Sequence, residues 1–285
     1  MIRRSKLNLE PLESRQMMAG DVSAYAISRI LYINGDPADN GIALVDGGNG
    51  TFNLIGLTQG GAATTINGGV SQNFNKIKDI VISMNKGNDA VVVTDIFVNG
   101  NLYVSGGKGN DVIGLGEFAD TGLVDDAVDS LLGALSVKKT IILDAGEDDD
   151  ALLARAVSAK TLTASMGAGN DVVTFDAGAG AGVTIEKTAS ISTSTGDDTV
   201  NLTRVSAAKG LTVSTTTGND DVTLSEIAAK SLSVSLGSED DDVTIDGSTI
   251  TKTGTFNGDS GINSYTDGGG NTFGKLVRKN FQTMV

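Results

Sequence analysis

A lysine recurs at Lys139, Lys160, Lys187, Lys209, Lys230 and Lys252, in steps of 21, 27, 22, 21 and 22 residues. Eleven residues after these lysines stand, in order, Asp150, Asp171, Asp198, Asp220, Asp241 and Asn263. Lys78 with Asp89, and Gly100 with Asp111, continue the register backwards. Spacing that holds within a unit while the step between units varies marks a structural repeat of about 22 residues.

Within the unit the apolar residues alternate. Ile80 and Ile82, Leu102 and Val104, Leu162 and Ala164, Leu211 and Val213, and Leu232 and Val234 occupy the second and fourth positions after the lysine. That alternation is the signature of a half-buried strand. It returns after the aspartate at Val91 and Val93, Ile113 and Leu115, Val173 and Phe175, Val200 and Leu202, Val222 and Leu224, and Val243 and Ile245. Seven residues past the aspartate, Ile96, Phe118, Val157, Val205 and Ile227 mark a third, shorter side. Such a unit cannot bury its own apolar face, so successive units must stack, like strand on like strand, about 4.8 Å apart. The expected fold is all-β: a parallel β-helix of three-sided coils, right-handed by the general preference of parallel crossovers.

Two departures from the period need room outside the coil. The 27-residue step contains the Ala/Gly run from Asp176 to Val183, expected to bulge as a loop. Between Asp111 and Asp150 the step is 39, and Leu123, Val124, Ala127, Leu131, Leu132 and Leu135 fall at helical spacing behind Thr121. A short helical insert over 116–137 is the expectation. The repeats then span 78–263. Residues 21–77 alternate between Gly-rich turns and form opening coils or a capping hairpin sheet, and 264–285 form a terminal cap or tail.

Composition narrows the chemistry. The 38 glycines, 2 prolines, no Trp and no Cys suit a β-rich chain with many turns and no disulfides. Absence of His removes the usual general base. A net charge of −14 disfavours nucleic acid, and no apolar run is long enough for a membrane-spanning helix. The lysine column reads as a solubilising surface feature, with a polyanion-binding stripe as the alternative.

Each corner between first and second strands carries an acidic turn, such as Gly87-Asn88-Asp89, Gly109-Asn110-Asp111 and Gly196-Asp197-Asp198. Two readings stand. Gly and Asn can supply left-handed turn conformations while each Asp hydrogen-bonds its own turn. Alternatively the stacked carboxylates bind Ca²⁺, with Asp89, Gly109, Asp111, Asp171, Asp198, Asp220 and Asp241 as ligands. The segment GGKGNDVIG at 106–114 resembles the nonapeptide of RTX repeats, and that resemblance implies calcium between neighbouring loops. The spacing of about 22 residues departs from the nine of RTX proteins.

At the other end of the chain, Leu9-Glu10-Pro11, Leu12-Glu13-Ser14-Arg15 and Met17-Met18-Ala19-Gly20-Asp21 resemble the LEPR-XLL type N-terminal region of exported proteins of planctomycete-like bacteria, Met-Met standing for Leu-Leu. Residues 1–20 would then be an export or sorting region. The coils behind it are similar to haemolysin-type or haemagglutinin-like β-strand repeats. The resemblance implies an extracellular or cell-surface protein. A non-catalytic structural or adhesive role follows, with cell-envelope or extracellular matrix components as partners. A calcium-binding RTX-like module and a β-helical polysaccharide-active enzyme, using Arg155 or Arg204, are the alternatives.

Overall fold

The computed structural model describes residues 20–59, 62–117, 133–176 and 180–285. These residues are all-β and contain no helix. Their strands stack mainly in parallel in a solenoid-like arrangement, with antiparallel pairs among the N-terminal strands.

Face one stacks Ile30–Asn34, Asp79–Lys86, Leu102–Lys108, the second halves of Leu135–Glu147 and Val157–Ala168, then Thr188–Ser192, Gly210–Ser214 and Ala228–Ser235. The register is the one set by the repeat: Leu102 pairs with Ile80 and Ile141, Val104 with Ile82 and Leu143, Leu211 with Leu232, and Val213 with Val234. Face two stacks Gly41–Asp46, Ala90–Val93, Val112–Gly116, Ala151–Arg155, Val172–Phe175, Thr199–Thr203, Asp221–Ser225 and Asp242–Asp246. Face three is short, as in Ile96–Val98, Val183–Ile185 and Val205–Ala207, and runs on into face one across the lysine corner. Register shifts at Val137/Thr140, Ala229/Ser231 and Ile250/Thr253 mark that corner.

The inward columns of the three faces form one continuous apolar core, including Leu31, Ile80, Leu102, Val173, Leu202 and Val222, all essentially inaccessible. Stacking identical strand orders in identical direction is what lets residues with no apolar partner in their own coil bury against the next.

The helix expected over 116–137 needs correction at both ends, and Gly116 belongs to strand Val112–Gly116, where it pairs with Arg155. Leu135 and Val137 lie in strand Leu135–Glu147, where they pair with Ile96 and Val98 of face three. Helical and strand spacing coincide for so short an apolar run, and burial beside Ile96 and Val157 decides for strand. The rest of the expected helix, 118–132, lies outside the described residues, as does Phe118. Leu135 fills the inward place expected of Phe118. The 27-residue step is absorbed at the same corner, between Phe175 and Val183, where 177–179 also lie outside the described residues.

The N-terminal coils are mixed. Asp21–Ile27 pairs antiparallel with Ile30–Asn34 through a two-residue turn, Ser28 and Arg29, both at positive φ. Thr51–Gly56 pairs antiparallel with Gly41–Asp46 and Ser71–Asn75. At the other end Thr272–Lys279 adds a further parallel strand, and Arg278 lies over the Tyr265 ring at 5.0 Å, above the edge-on contacts of Phe256 and Phe281 with that ring.

Candidate functional site

The corner joining face one to face two gathers the expected site residues. Asp89, Asp111, Asp150, Asp171, Asp198, Asp220 and Asp241 are buried there in a single file, flanked by Asn40 and Asn263 in equivalent places. The backbone N–H of each residue donates to Oδ1 of the residue one coil further along: Asn40 to Asp89, Asp89 to Asp111, and so on to Asp241 and Asn263, at 2.7–3.0 Å. The aspartates do not bond their own turns, as the turn-chemistry reading expected. They clasp the neighbouring coil.

One residue earlier runs a second file in the opposite sense. The N–H groups of Asn88, Asn110, Asp149, Asn170, Asp197, Asn219, Asp240 and Ile262 donate to side-chain oxygens of the preceding coil, from Asp39 through Asp240, at 2.7–3.3 Å. These outer side chains are exposed. Between strands, where the sheet ladder would leave turn amides orphaned, the two files satisfy them from side chains.

Glycine is dictated by the approach of the coils. Gly218 has φ of 127°, and a Cβ there would stand 1.9 Å from the carbonyl oxygen of Gly196 below it. Gly109, an expected calcium residue, has φ of 110° and gives its N–H to Glu147 O and Asp148 Oδ2. That backbone conformation is one that glycine adopts without strain.

Burial dominates the electrostatics. It raises the pKa of every inner aspartate, the neighbouring carboxylates add to the rise, and the donated N–H opposes it. Asp111 and Asp198 are pushed up to about 6, Asp89 and Asp241 to about 7, and Asp150 to about 8. Thr193 and Thr215 stand beside Asp198 and Asp220 and oppose the shift; the Thr215 hydroxyl is hydrogen-bonded to Leu236 O. The arrangement is a ladder between coils in which each Oδ1 accepts an N–H; among the described residues no group of three or more acidic side chains is gathered that could hold a metal ion.

The other charged candidates are engaged structurally. Arg155 forms an ion pair with Asp176 at 2.5 Å and donates to its carbonyl, and Arg204 reaches Glu226 at 3.6 Å. Both brace the corner that takes the insertions. Lys139, Lys160, Lys209, Lys230 and Lys252 are exposed along the third corner, away from the acidic file.

Absent from the sequence reading is the outer side of face one. Its middle column runs Thr163, Ser190, Thr212, Ser233 and Thr255, in register. Ser165, Ser192, Ser214 and Ser235 form the column beside it, and Thr161, Thr188, Ser231 and Thr253 line the other flank, with Gly210 between Thr188 and Ser231. The alternation of Ser and Thr with apolar residues is present in the sequence, as in TLTAS at 161–165, TASIS at 188–192 and SLSVS at 231–235. Over five coils this face is hydroxyl-bearing and uncharged. No family model, curated protein or solved structure matches the chain.

Proposed function

We propose that the chain is an exported, surface-displayed, non-catalytic protein with a structural or adhesive role, built as a right-handed parallel β-helix. The carrying observation is the uncharged hydroxyl face of Thr163, Ser190, Thr212, Ser233 and Thr255, whose strands stack in register. A regular array of short donors and acceptors suits lateral contact with polar, uncharged surfaces of cell-envelope or extracellular matrix components. The charged residues that a catalytic reading would recruit are held instead in inter-coil ladders and corner braces. The LEPR-XLL resemblance of residues 1–20 supports export, and the right hand follows from the general rule for parallel crossovers.

Two measurements test this reading. Cell fractionation should find the protein in the envelope or medium, and recovery in the cytosol alone contradicts export. The purified chain should bind envelope preparations, and Thr163→Lys, Thr212→Lys and Thr255→Lys together should weaken that binding at least tenfold without lowering Tm. Unchanged binding by the triple variant removes face one as the adhesive surface.

A further inference from the structure

The inner aspartates share an anomaly. In each of Asp89, Asp111, Asp150, Asp171, Asp198, Asp220 and Asp241, Oδ1 accepts an N–H while Oδ2 is buried with no N–H to accept; only at Asp198 and Asp220 does a side-chain hydroxyl, of Thr193 or Thr215, stand beside the carboxyl group. A buried ionised oxygen left unpaired is among the costliest arrangements in a fold, yet it recurs here coil after coil.

The amide rungs show what that place requires. Asn263 occupies the same position, and its Nδ2 donates to Gly258 O at 2.6 Å, the carbonyl five residues before it. Asn40 likewise donates from Nδ2, to Ala38 O and Asp36 O. The atoms correspond in space: a Cβ built on Gly258 would meet Asn263 Nδ2 at 2.7 Å, and one built on Gly106 would meet Asp111 Oδ2 at 2.2 Å. Oδ2 of the aspartate therefore stands where the amide rung keeps a donor. An ionised carboxylate has no proton to give, whereas a neutral acid has one.

The surroundings agree. The charges acting on the file are acidic: its own members, and Asp39, Asp148, Asp149, Asp197, Glu239 and Asp240 of the outer turns. The cations at this corner are Lys86 and Lys108, at the exposed ends of Asp79–Lys86 and Leu102–Lys108, and Lys108 is paired with Glu147. The residues five before the aspartates, Met84, Gly106, Ala145, Met166, Thr193, Thr215 and Leu236, are buried and none of them is charged.

We propose that the file is a chain of proton-binding sites: its aspartates are held as neutral acids, each Oδ2–H donating to the carbonyl five residues earlier as Asn263 does, so that folding of the coils takes up protons. The pH dependence has a definite sign. An aspartate has a pKa of about 3.9 in the unfolded chain, and those in the file are raised. Their contribution is complete below the unfolded value and is lost as pH rises through the folded ones, the reverse of a salt-bridged carboxylate.

Infrared spectroscopy of the full chain in chelator tests this without any variant. The native protein at pH 7 should show the carbonyl band of protonated carboxyl groups, and the band should vanish on unfolding at that pH. A native spectrum with ionised carboxylates alone overturns the proposal. The triple variant Asp171→Asn, Asp198→Asn and Asp220→Asn should fold, match or exceed the parent's Tm at pH 8, and lose much of the parent's fall in Tm between pH 5 and pH 8. A variant that is unfolded, or that keeps the full fall, contradicts it.

Discussion

Two corners of the same coil behave in opposite ways. At the acidic corner the eleven-residue spacing holds from coil to coil, also where Gly100 stands for the lysine or Asn263 for the aspartate, and both turn residues are tied to neighbouring coils. At the corner between faces two and three, the steps of 39 and 27 residues are taken up without breaking the register of Val157, Val183 and Val205. The difference lies in how completely side chains tie the turns: every rung of the acidic corner is held by a side chain one coil away, whereas such ties at the other corner are scattered, as from Gly133 N–H to Thr94 Oγ1 and from Ile227 N–H to Ser248 Oγ. A turn whose amides are satisfied by side chains one coil away cannot change length without orphaning buried groups, whereas a loop leaving the coil costs only its closure entropy.

The contrast can be broken directly. Inserting Gly-Ser-Gly between Gly196 and Asp197 should abolish cooperative unfolding of the column. The same insertion between Gly180 and Ala181 should change stability by less than about 1 kcal/mol. Equal losses at both sites, measured by denaturant unfolding, would erase the distinction between the corners. A smaller disturbance is Gly218→Val, which forces a side chain into positive φ against Gly196 O and should cost about 3 kcal/mol. Asp198→Leu leaves the N–H of Asp171 buried without its acceptor, and should cost about 2 kcal/mol. Across the coil, Arg155→Ala removes a partly exposed ion pair with Asp176 and should cost no more than about 1 kcal/mol by the same assay.

The repeat made one side of this contrast legible. Alternation after each lysine and each aspartate located two faces and their registers, because inward columns must be apolar wherever strands stack. The direction of the acidic ladder was not legible: a Gly-Asn-Asp turn looks the same whether Asp bonds its own turn or the next, and only stacking decides. The helix expected over 116–137 failed at Leu135 and Val137 because apolar residues two apart satisfy a strand as readily as part of a helix. The first coil also escaped notice, although Arg29 and Asn40 are eleven residues apart; the hairpins between Asn40 and Lys78 lengthen the step beyond recognition. The hydroxyl columns of face one were visible but carry no periodic signal distinct from ordinary surface.

That the acidic file fixes coil to coil is tested most directly by native-state hydrogen exchange. The amides of Asp111, Asp150, Asp171, Asp198 and Asp220, though they lie in turns, should exchange only on global unfolding, as slowly as the core strand amides of Val200 and Leu202. The amides of Ala134 and Gly182, on the tolerant corner, should exchange faster by at least a hundredfold. Turn aspartates that exchange as fast as those corner residues would contradict the ladder as the element holding the coils in register.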